Sequence, residues 1–591
     1  MTDSVAHRGP DGEGYWMNPD GEVGFGHRRL SVIDLSESAA QPMHYLGKYT
    51  CIHNGEIYNY TELKQVLIAR GYFFRTASDT EVLIAAYHCY GVECLSHFDG
   101  MFAFAIWDEL EKTLFCARDR MGEKPFYYSF FENAFVFGSE AKVLWAAGLP
   151  KKVNEPMLLN FLSAGHVNTP LDLTISFYQQ VFILPPAHYL RLSMPDLELS
   201  LHAYWDADKE SMLKISEKEA EEKISHLFGQ SLTRRLRSDV ETGSTLSGGL
   251  DSSSIAAAIH GTGKFRQKTF SAVFPGYEKD ESSYIEKVAA RFDLANFSIT
   301  PKVDELIGDF EKLCHYQEIP FTSSSIYLQY RVFGLAKEHG TKVLLDGQGA
   351  DELFAGYSKY IHWYLQELFR KNPLNFLSEK RALNRNRIPY HWSWRNYLAA
   401  WFPAQAAIQL EKREARKIAG NPDINPEYKD QFFDRPSIYK PLVMKLNDQL
   451  YFNCFRQGLQ DLLHYADRNS MAHGCEIRLP FLNHELIQFL FSLASSLKIH
   501  NGWTKYILRK TMEDQLPSEI VWRKDKIGFE PPQKTWMSDP QLQDYVQEGR
   551  KILVGEKILK KEVLNKKNQP MDAHAADNFD WRYLVTAKCI F

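Results

Sequence analysis

With 591 residues the chain is too long for one ordinary core and corresponds to about two to four domains. Hydrophobic residues make up 44% and charged residues 24%, enough to fold without metals or crosslinks, while a net charge of −5 and a pI near 6.5 argue against nucleic acid as a partner. Eight cysteines without CxxC spacing fit a reducing cytosol and supply no zinc site, and no apolar run reaches the roughly 18 residues of a membrane-spanning helix. A cytoplasmic protein with no nucleic-acid or membrane partner is therefore expected. The six lysines between Lys551 and Lys567 read as a solvated helix face.

The chain opens on MTDSVAHRGPDGEG, a turn-rich segment where a first strand is expected. From Gly21 to about Arg191 short strands alternate with turns, as in EVGFGHRRLSVID, KYTCIHNGEIYN, MFAFAIWD, TLFCARD and AFVFGS. Two helices interrupt them: YTELKQVLIARG, stopping at Gly71, and SDTEVLIAAYHCYG, started by Asp and Thr and stopped by Gly91. Strands at this density with two helices predict an α+β sandwich. The pattern breaks between Ser193 and Glu210, which places a first domain at 1–195, a linker at 196–215 and a second domain at 216–591. Beyond the break, a charged helix from Ser216 to Arg237 leads to STLSGGLDSSSIAAAIHG, TFSAVF, a helix near Ser283–Phe292, another at Tyr327–His339, and TKVLLDGQGADELFAGY. Apolar runs alternating with helices predict a parallel α/β sheet. After Tyr360 the sequence is largely helical and aromatic, with no strand alternation.

Ser247, Gly248, Gly249, Leu250, Asp251, Ser252 and Ser253 follow an apolar strand and open an apolar helix. Two glycines there let backbone amides approach a phosphate, and the hydroxyls add hydrogen bonds. Asp251 is suited to holding Mg²⁺ against phosphate oxygens. A plain turn before a helix uses the same residues, but the seven-residue string in strand-turn-helix context is more specific. It lacks the lysine of GxxxxGK and so is not the kinase or GTPase loop.

This loop resembles the pyrophosphate loop of the ATP pyrophosphatases. With Asp239-Val240, Asp280-Glu281, the run from Gly347 to Phe354, Gly356-Tyr357, Asp467 to His473, Glu476 to Leu482 and Arg523 to Phe529, nearly the whole chain resembles the glutamine-dependent asparagine synthetase family. The resemblance implies ATP and Mg²⁺ as cofactors, pyrophosphate held by Ser247–Ser253 and Gly347, and metal held by Asp251 and Asp351. It also implies a catalytic lysine at Lys526 and an acceptor wall at Glu476 and Arg478. One position departs from it: where biosynthetic members carry Glu in a Ser-Gly-Glu-Gly string, this chain reads Asp346-Gly347-Gln348-Gly349. Gln348 cannot take a proton at useful pH. Either Asp346 supplies the carboxylate or the acceptor is not aspartate, and relatives with DGQG amidate other acids, including sugar acids of surface polysaccharides.

Near the start, His7 to Gly12, Gly26 to Leu30, Gln41 to Met43, Asn54 to Asn59, Ser78 to Glu81, Asp119-Arg120 and Gly138 to Glu140 resemble that family's Ntn-type glutaminase, an αββα sandwich. Arg29, Glu56 and Asp79 match residues that hold the glutamine, and Asn54 with Gly55 matches the oxyanion hole. The family's nucleophilic cysteine is absent. Thr2 stands too close to His7 to replace it, and Cys51 reads as a packed small hydrophobe. Two explanations stay open: Met1 is an internal methionine of a longer chain whose first strand carries Met-Cys-Gly, or the first domain is a scaffold and free ammonia or another amine is the nucleophile; either way a sandwich lacking that strand, with an apolar face left uncovered, is expected here.

The expectation is therefore ATP-dependent amidation of a carboxylic acid, aspartate first, by adenylation and attack of ammonia, with glutamine hydrolysis only in a form bearing the cysteine. The alternatives are another acid, closure by an internal amine as in lactam synthetases, and a non-catalytic scaffold. A closing enzyme has no use for Arg29, Asn54, Glu56 and Asp79, and a scaffold none for an intact phosphate loop. Dimers are common in the resembling family, which makes a homodimer the corresponding expectation.

Overall fold

The computed structural model describes residues 1–263, 266–434, 438–524 and 529–591. Along Gly100–Asp108, Phe102, Phe104 and Ile106 face a pair of helices, whereas Ala103, Ala105 and Trp107 face a second sheet. Successive strand residues point to opposite sides, so one all-apolar strand serves two cores. It belongs to a six-stranded antiparallel sheet ordered Glu198–Ala203, His188–Ser193, Thr113–Arg118, Gly100–Asp108, Tyr49–Ile57 and Met43–Tyr45. The covering helices are Tyr60–Ala69 and Asp79–Tyr90. The second is started by Ser78, whose hydroxyl accepts from the Thr80 amide at 3.1 Å, and ends at Gly91 with φ 59°.

Against the other face lies a three-stranded sheet of Ala134–Gly138, Tyr127–Phe131 and Phe182–Ile183, backed by the helices Ala141–Ala146 and Glu155–Ala164. These four layers are the αββα sandwich the sequence predicts. The hairpin Gly12–Met17 and Gly24–Arg29 stands as a separate two-stranded sheet. Strand Glu198–Ala203 lies inside the segment expected as a linker, so the first sheet runs eight residues past 195. Only Leu199 and Leu201 pack inward from it, against the core around Leu190 and Leu192. Two leucines on a half-exposed edge strand leave little alternation to read.

The second half begins at Ser216, which forms a capping box with Glu219 and starts the helix Glu217–Arg235. Its sheet is wholly parallel, ordered Ala295–Ile299, Lys268–Ala272, Thr242–Thr245, Val343–Leu345 and Glu476–Arg478. In order of appearance the strands lie 3-2-1-4-5, so the winding reverses between Thr242–Thr245 and Val343–Leu345. Ligand crevices of open parallel sheets form at that reversal, beyond the carboxyl ends of the strands. Strand Glu476–Arg478 was not foreseen after Tyr360. Three residues are too few to show a period, and it becomes a strand only by pairing with Val343–Leu345. The rest of the half is helical, and its last helix, Phe579–Ile590, packs Trp581 against Phe310 and Phe321.

Candidate active site

The loop after strand Thr242–Thr245 makes its turn at Gly248, with φ 71°. A Cβ at Gly248 would lie 2.6 Å from Cβ of Tyr284 and 2.8 Å from the Ile285 amide, so both conformation and space require glycine. Gly249 is the N-cap of helix Leu250–Gly261, leaving the first helical amides open to a phosphate. Ser247 and Ser252 bind each other at 3.1 Å and shape the loop, and the buried Ser253 hydroxyl has no hydrogen-bond partner among the described residues. Across the crevice, Gly347 follows strand Val343–Leu345; a Cβ there would lie 2.9 Å from Cβ of Asp251. The two loops thus meet at the winding reversal.

Asp251 and Asp351 converge on one cation. Lys505 Nζ lies 2.6 and 2.5 Å from the two oxygens of Asp251 and 2.6 Å from Oδ1 of Asp351. Burial pulls the Lys505 ammonium down, the two aspartates outweigh it, and the net shift is upward. Gly356 makes room for this cluster, since a Cβ would come 1.9 Å from Oδ1 of Asp351 and 2.2 Å from Cε of Lys505. Arg509 braces it from behind, donating to the Thr504 carbonyl at 2.7 Å, the Arg523 carbonyl at 3.2 Å and the Val521 carbonyl. Sequence reasoning missed both residues. Lys505 caps helix Tyr506–Met512 with φ 52°, a conformation that residues bearing a Cβ rarely adopt, at a helix N-terminus that disfavours a cation, and neither feature shows without the fold.

Lys526 lies outside the described residues. Its flanks are anchored beside the phosphate loop: Arg523 pairs with Glu281 at 2.8 Å and stacks 3.9 Å over the Tyr284 ring, and Glu530 pairs with Lys279 at 2.9 Å. Asp346 is engaged, accepting from the Thr245 hydroxyl at 2.7 Å and the Gln348 amide at 3.0 Å, and burial pushes its carboxyl upward. The side-chain oxygen of Gln348 is sealed from solvent with no hydrogen-bond partner among the described residues.

In the first half, Arg29, Asn54, Gly55, Glu56 and Asp79 all line one cavity of about 770 Å³. Gly55 has φ 127°, and a Cβ there would lie 2.0 Å from the Met101 carbonyl oxygen. Burial pushes the Asp79 carboxyl up to about 6 and Glu56 well above its usual range, and it pulls His27 down to about 4 and His53 to about 3. Met1, Thr2 and Val5 line the same cavity, along with apolar Phe25, Phe104 and Phe126. The Thr2 hydroxyl donates to Tyr15 at 3.0 Å. No cysteine lines the cavity, and Cys51 is fully buried on the helix side of the sheet with its thiol pushed up by burial.

Glu476 and Arg478, expected as an acceptor wall, turn their side chains toward the first half. Glu476 lines the first cavity; Arg478 is fully buried and donates to Glu476 at 2.7 Å, to the Arg235 carbonyl at 2.8 Å and to the Arg237 carbonyl at 2.5 Å, with Glu56 3.8 Å away. Two residues apart on one strand, they share a face, and that face meets the first half. The Arg478 carbonyl accepts from the Asp346 amide at 3.0 Å. One residue therefore touches both sites, with its side chain at the cavity wall and its backbone at the crevice loop.

A phosphate-cradling loop at the reversal of a parallel sheet, joined by a shared wall to an amidotransferase-like sandwich, defines an ATP-dependent carbon-nitrogen ligase. Residues 223–582 match the asparagine synthase family and residues 1–205 match the glutamine amidotransferase domain, and the chain belongs to the asparagine synthase family. It is 32% identical to the glutamine-hydrolysing asparagine synthetase 1 of Bacillus subtilis, over 91% of this chain and 84% of that protein. It is 31% identical to asparagine synthetase 3 of the same organism, over 89% and 82%, and 29% identical to amidase chry2 of Gibberella zeae, over 91% and 85%. No helix among the described residues is long and apolar enough to cross a membrane.

Proposed function

We propose that the chain adenylates the side-chain carboxylate of aspartate and lets ammonia displace AMP, yielding asparagine, AMP and pyrophosphate. The observation that carries this reading is the convergence of the Ser247–Ser253 loop, Asp251, Asp351 and Lys505 at the sheet reversal. Two carboxylates within reach of one ammonium also fit a divalent cation. Asp251 and Asp351 would hold Mg²⁺, which when bound offsets phosphate charge and orients the phosphate chain. Helix-start amides and the loop hydroxyls receive the pyrophosphate, and Gly248 and Gly347 let the two loops close around it.

Lys505 is a second counter-charge for the phosphates, and Lys526, by its family resemblance, follows negative charge as it builds on the α-phosphate. Asp346 is a positioning group here, because its carboxylate holds Thr245 and the Gln348 amide. The unpartnered Gln348 oxygen offers an acceptor to an N–H of the incoming ammonia. In the first cavity Arg29, Glu56 and Asp79 would grip glutamine, with Asn54 and Gly55 facing the oxyanion. Nitrogen released there would pass the wall built by Glu476 and Arg478.

A second reading rests on Gln348, which lacks the titratable group of the asparagine-making pattern: the acceptor is another acid, sugar acids first. Both are tested by AMP and pyrophosphate release with MgATP and aspartate, in parallel arms with ammonium and glutamine, with mass spectrometry for asparagine. Asparagine from ammonium is the expected result. Its absence from folded, MgATP-binding protein overturns aspartate as acceptor and turns the assay to sugar acids.

A further inference from the structure

Helix Trp394–Trp401 and helix Pro403–Ala419 meet in an elbow whose outer side is apolar. Trp394, Leu398 and Trp401, spaced four and three residues apart, form one stripe along the first helix, and they are 66%, 50% and 61% exposed. Phe402 at the bend and Ile408 one turn and a half further continue it, 55% and 49% exposed. Arg370 ties Met444 to the same place: it donates to the Ala400 carbonyl at 3.0 Å and to the Met444 carbonyl, and Met444 is exposed too. Side chains of this size are placed in water here, while on the inner side of the first helix Tyr397 packs against Phe376 and Trp392.

The exposed charges of the segment that carries the stripe have one sign. Every exposed charged side chain between residues 385 and 416 is basic: Arg385, Arg387, Arg395, Lys412, Arg413 and Arg416. The acids in that span, Glu411 and Glu414, are partly buried and engaged with the Lys440 amide and with His166. A chain of net charge −5 thus places exposed cations along the segment that carries this aromatic stripe. Trp and Phe at a helical elbow, flanked by Arg and Lys, match what the boundary of an anionic bilayer binds: apolar side chains enter below the headgroups while the cations meet lipid phosphate. A second copy of the chain would set two basic rims against each other, which electrostatics opposes.

We propose that this elbow docks the protein peripherally on an anionic lipid surface, without spanning it. The inference does not depend on which acid is amidated, and it goes beyond the sequence reading, in which no membrane partner was expected because no segment could span.

The test is flotation of the full chain with phosphatidylcholine vesicles and with vesicles containing about one-third phosphatidylglycerol. The same measurement is made on Trp401→Ala/Phe402→Ala and on Arg395→Glu/Arg413→Glu, with sedimentation velocity in parallel. Expected are binding to the anionic vesicles only, release by half-molar salt in part, and at least tenfold weaker partition for each double variant with unchanged thermal unfolding. Equal binding to both vesicle types, no binding to either, retention by the variants, or loss of a dimer in place of loss of binding would each overturn the proposal.

Discussion

At the scale of single residues, the first cavity shows how burial sets charge. Asp79 is 5% exposed, accepts from the Ile57 amide at 2.8 Å, and shares its surroundings with Glu56 and Glu476. Burial raises its carboxyl from 3.8 to about 6 despite that hydrogen bond. A raised carboxyl binds its proton more tightly in the folded state, so its contribution to stability is fully present below about pH 4. It is lost as pH rises through about 6. Two pH units correspond to about 3 kcal/mol at ~1.4 kcal/mol per unit. Asp79→Asn keeps an acceptor for the Ile57 amide and abolishes the titration. Urea unfolding between pH 4.5 and 7.5 is expected to show the variant gaining on the parent as pH rises, and parallel curves would refute the assignment.

At the scale of elements, two strand-to-helix turns and one misplaced lysine build the crevice. Helix Leu250–Gly261 presents amides because Gly249 caps it without a side chain, and helix Tyr506–Met512 presents a cation because Lys505 caps it in a left-handed turn. Each choice costs local stability and is repaid by position. Lys505→Met would leave Asp251 and Asp351 facing each other with a counter-charge removed. Because both carboxylates keep some exposure, 20% and 17%, the expected loss is about 2 kcal/mol rather than that of a fully buried pair. Mg²⁺ should then raise the melting temperature of the variant more than that of the parent, where the ammonium competes for the same oxygens. Equal shifts in a thermal titration with MgCl₂ would show that the lysine does not stand in the metal's place.

At the scale of the molecule, the two halves are locked by a buried charge network rather than by the segment between them. Arg8 binds Asp467 at 2.8 and 3.0 Å and Glu140 at 3.0 Å, and Arg468 binds Glu140 at 2.7 Å and Glu318 at 2.9 Å. Arg468→Met removes one charged partner from each of two buried carboxylates, Glu140 keeping Arg8 and Lys142 and Glu318 keeping the Ala141 and Lys142 amides, and is expected to cost about 1.5–3 kcal/mol in denaturant titrations. Arg266→Met, which breaks an exposed pair with Asp293, should leave the midpoint where it was, and equal effects would contradict this account.

The same network shows what could be read in advance. The residue types of His7-Arg8, Gly138 to Glu140 and Asp467-Arg468 stood out in the sequence, but their joint purpose as an interface did not, because they are separated by up to 459 positions. The phosphate loop and both helices of the first layer were legible, since glycines, caps and alternating apolar residues act over a few neighbours, whereas Arg29, Asn54, Gly55, Glu56 and Asp79, which line one cavity, were singled out by the family resemblance. Lys505, the strand Glu476–Arg478 and the turning of Glu476 and Arg478 toward the first half were decided by tertiary structure alone. The reason is physical: local sequence determines backbone preference and side-chain chemistry, whereas which carboxylate a lysine meets, and which face of a three-residue strand finds a partner, depends on chain segments brought together only by folding.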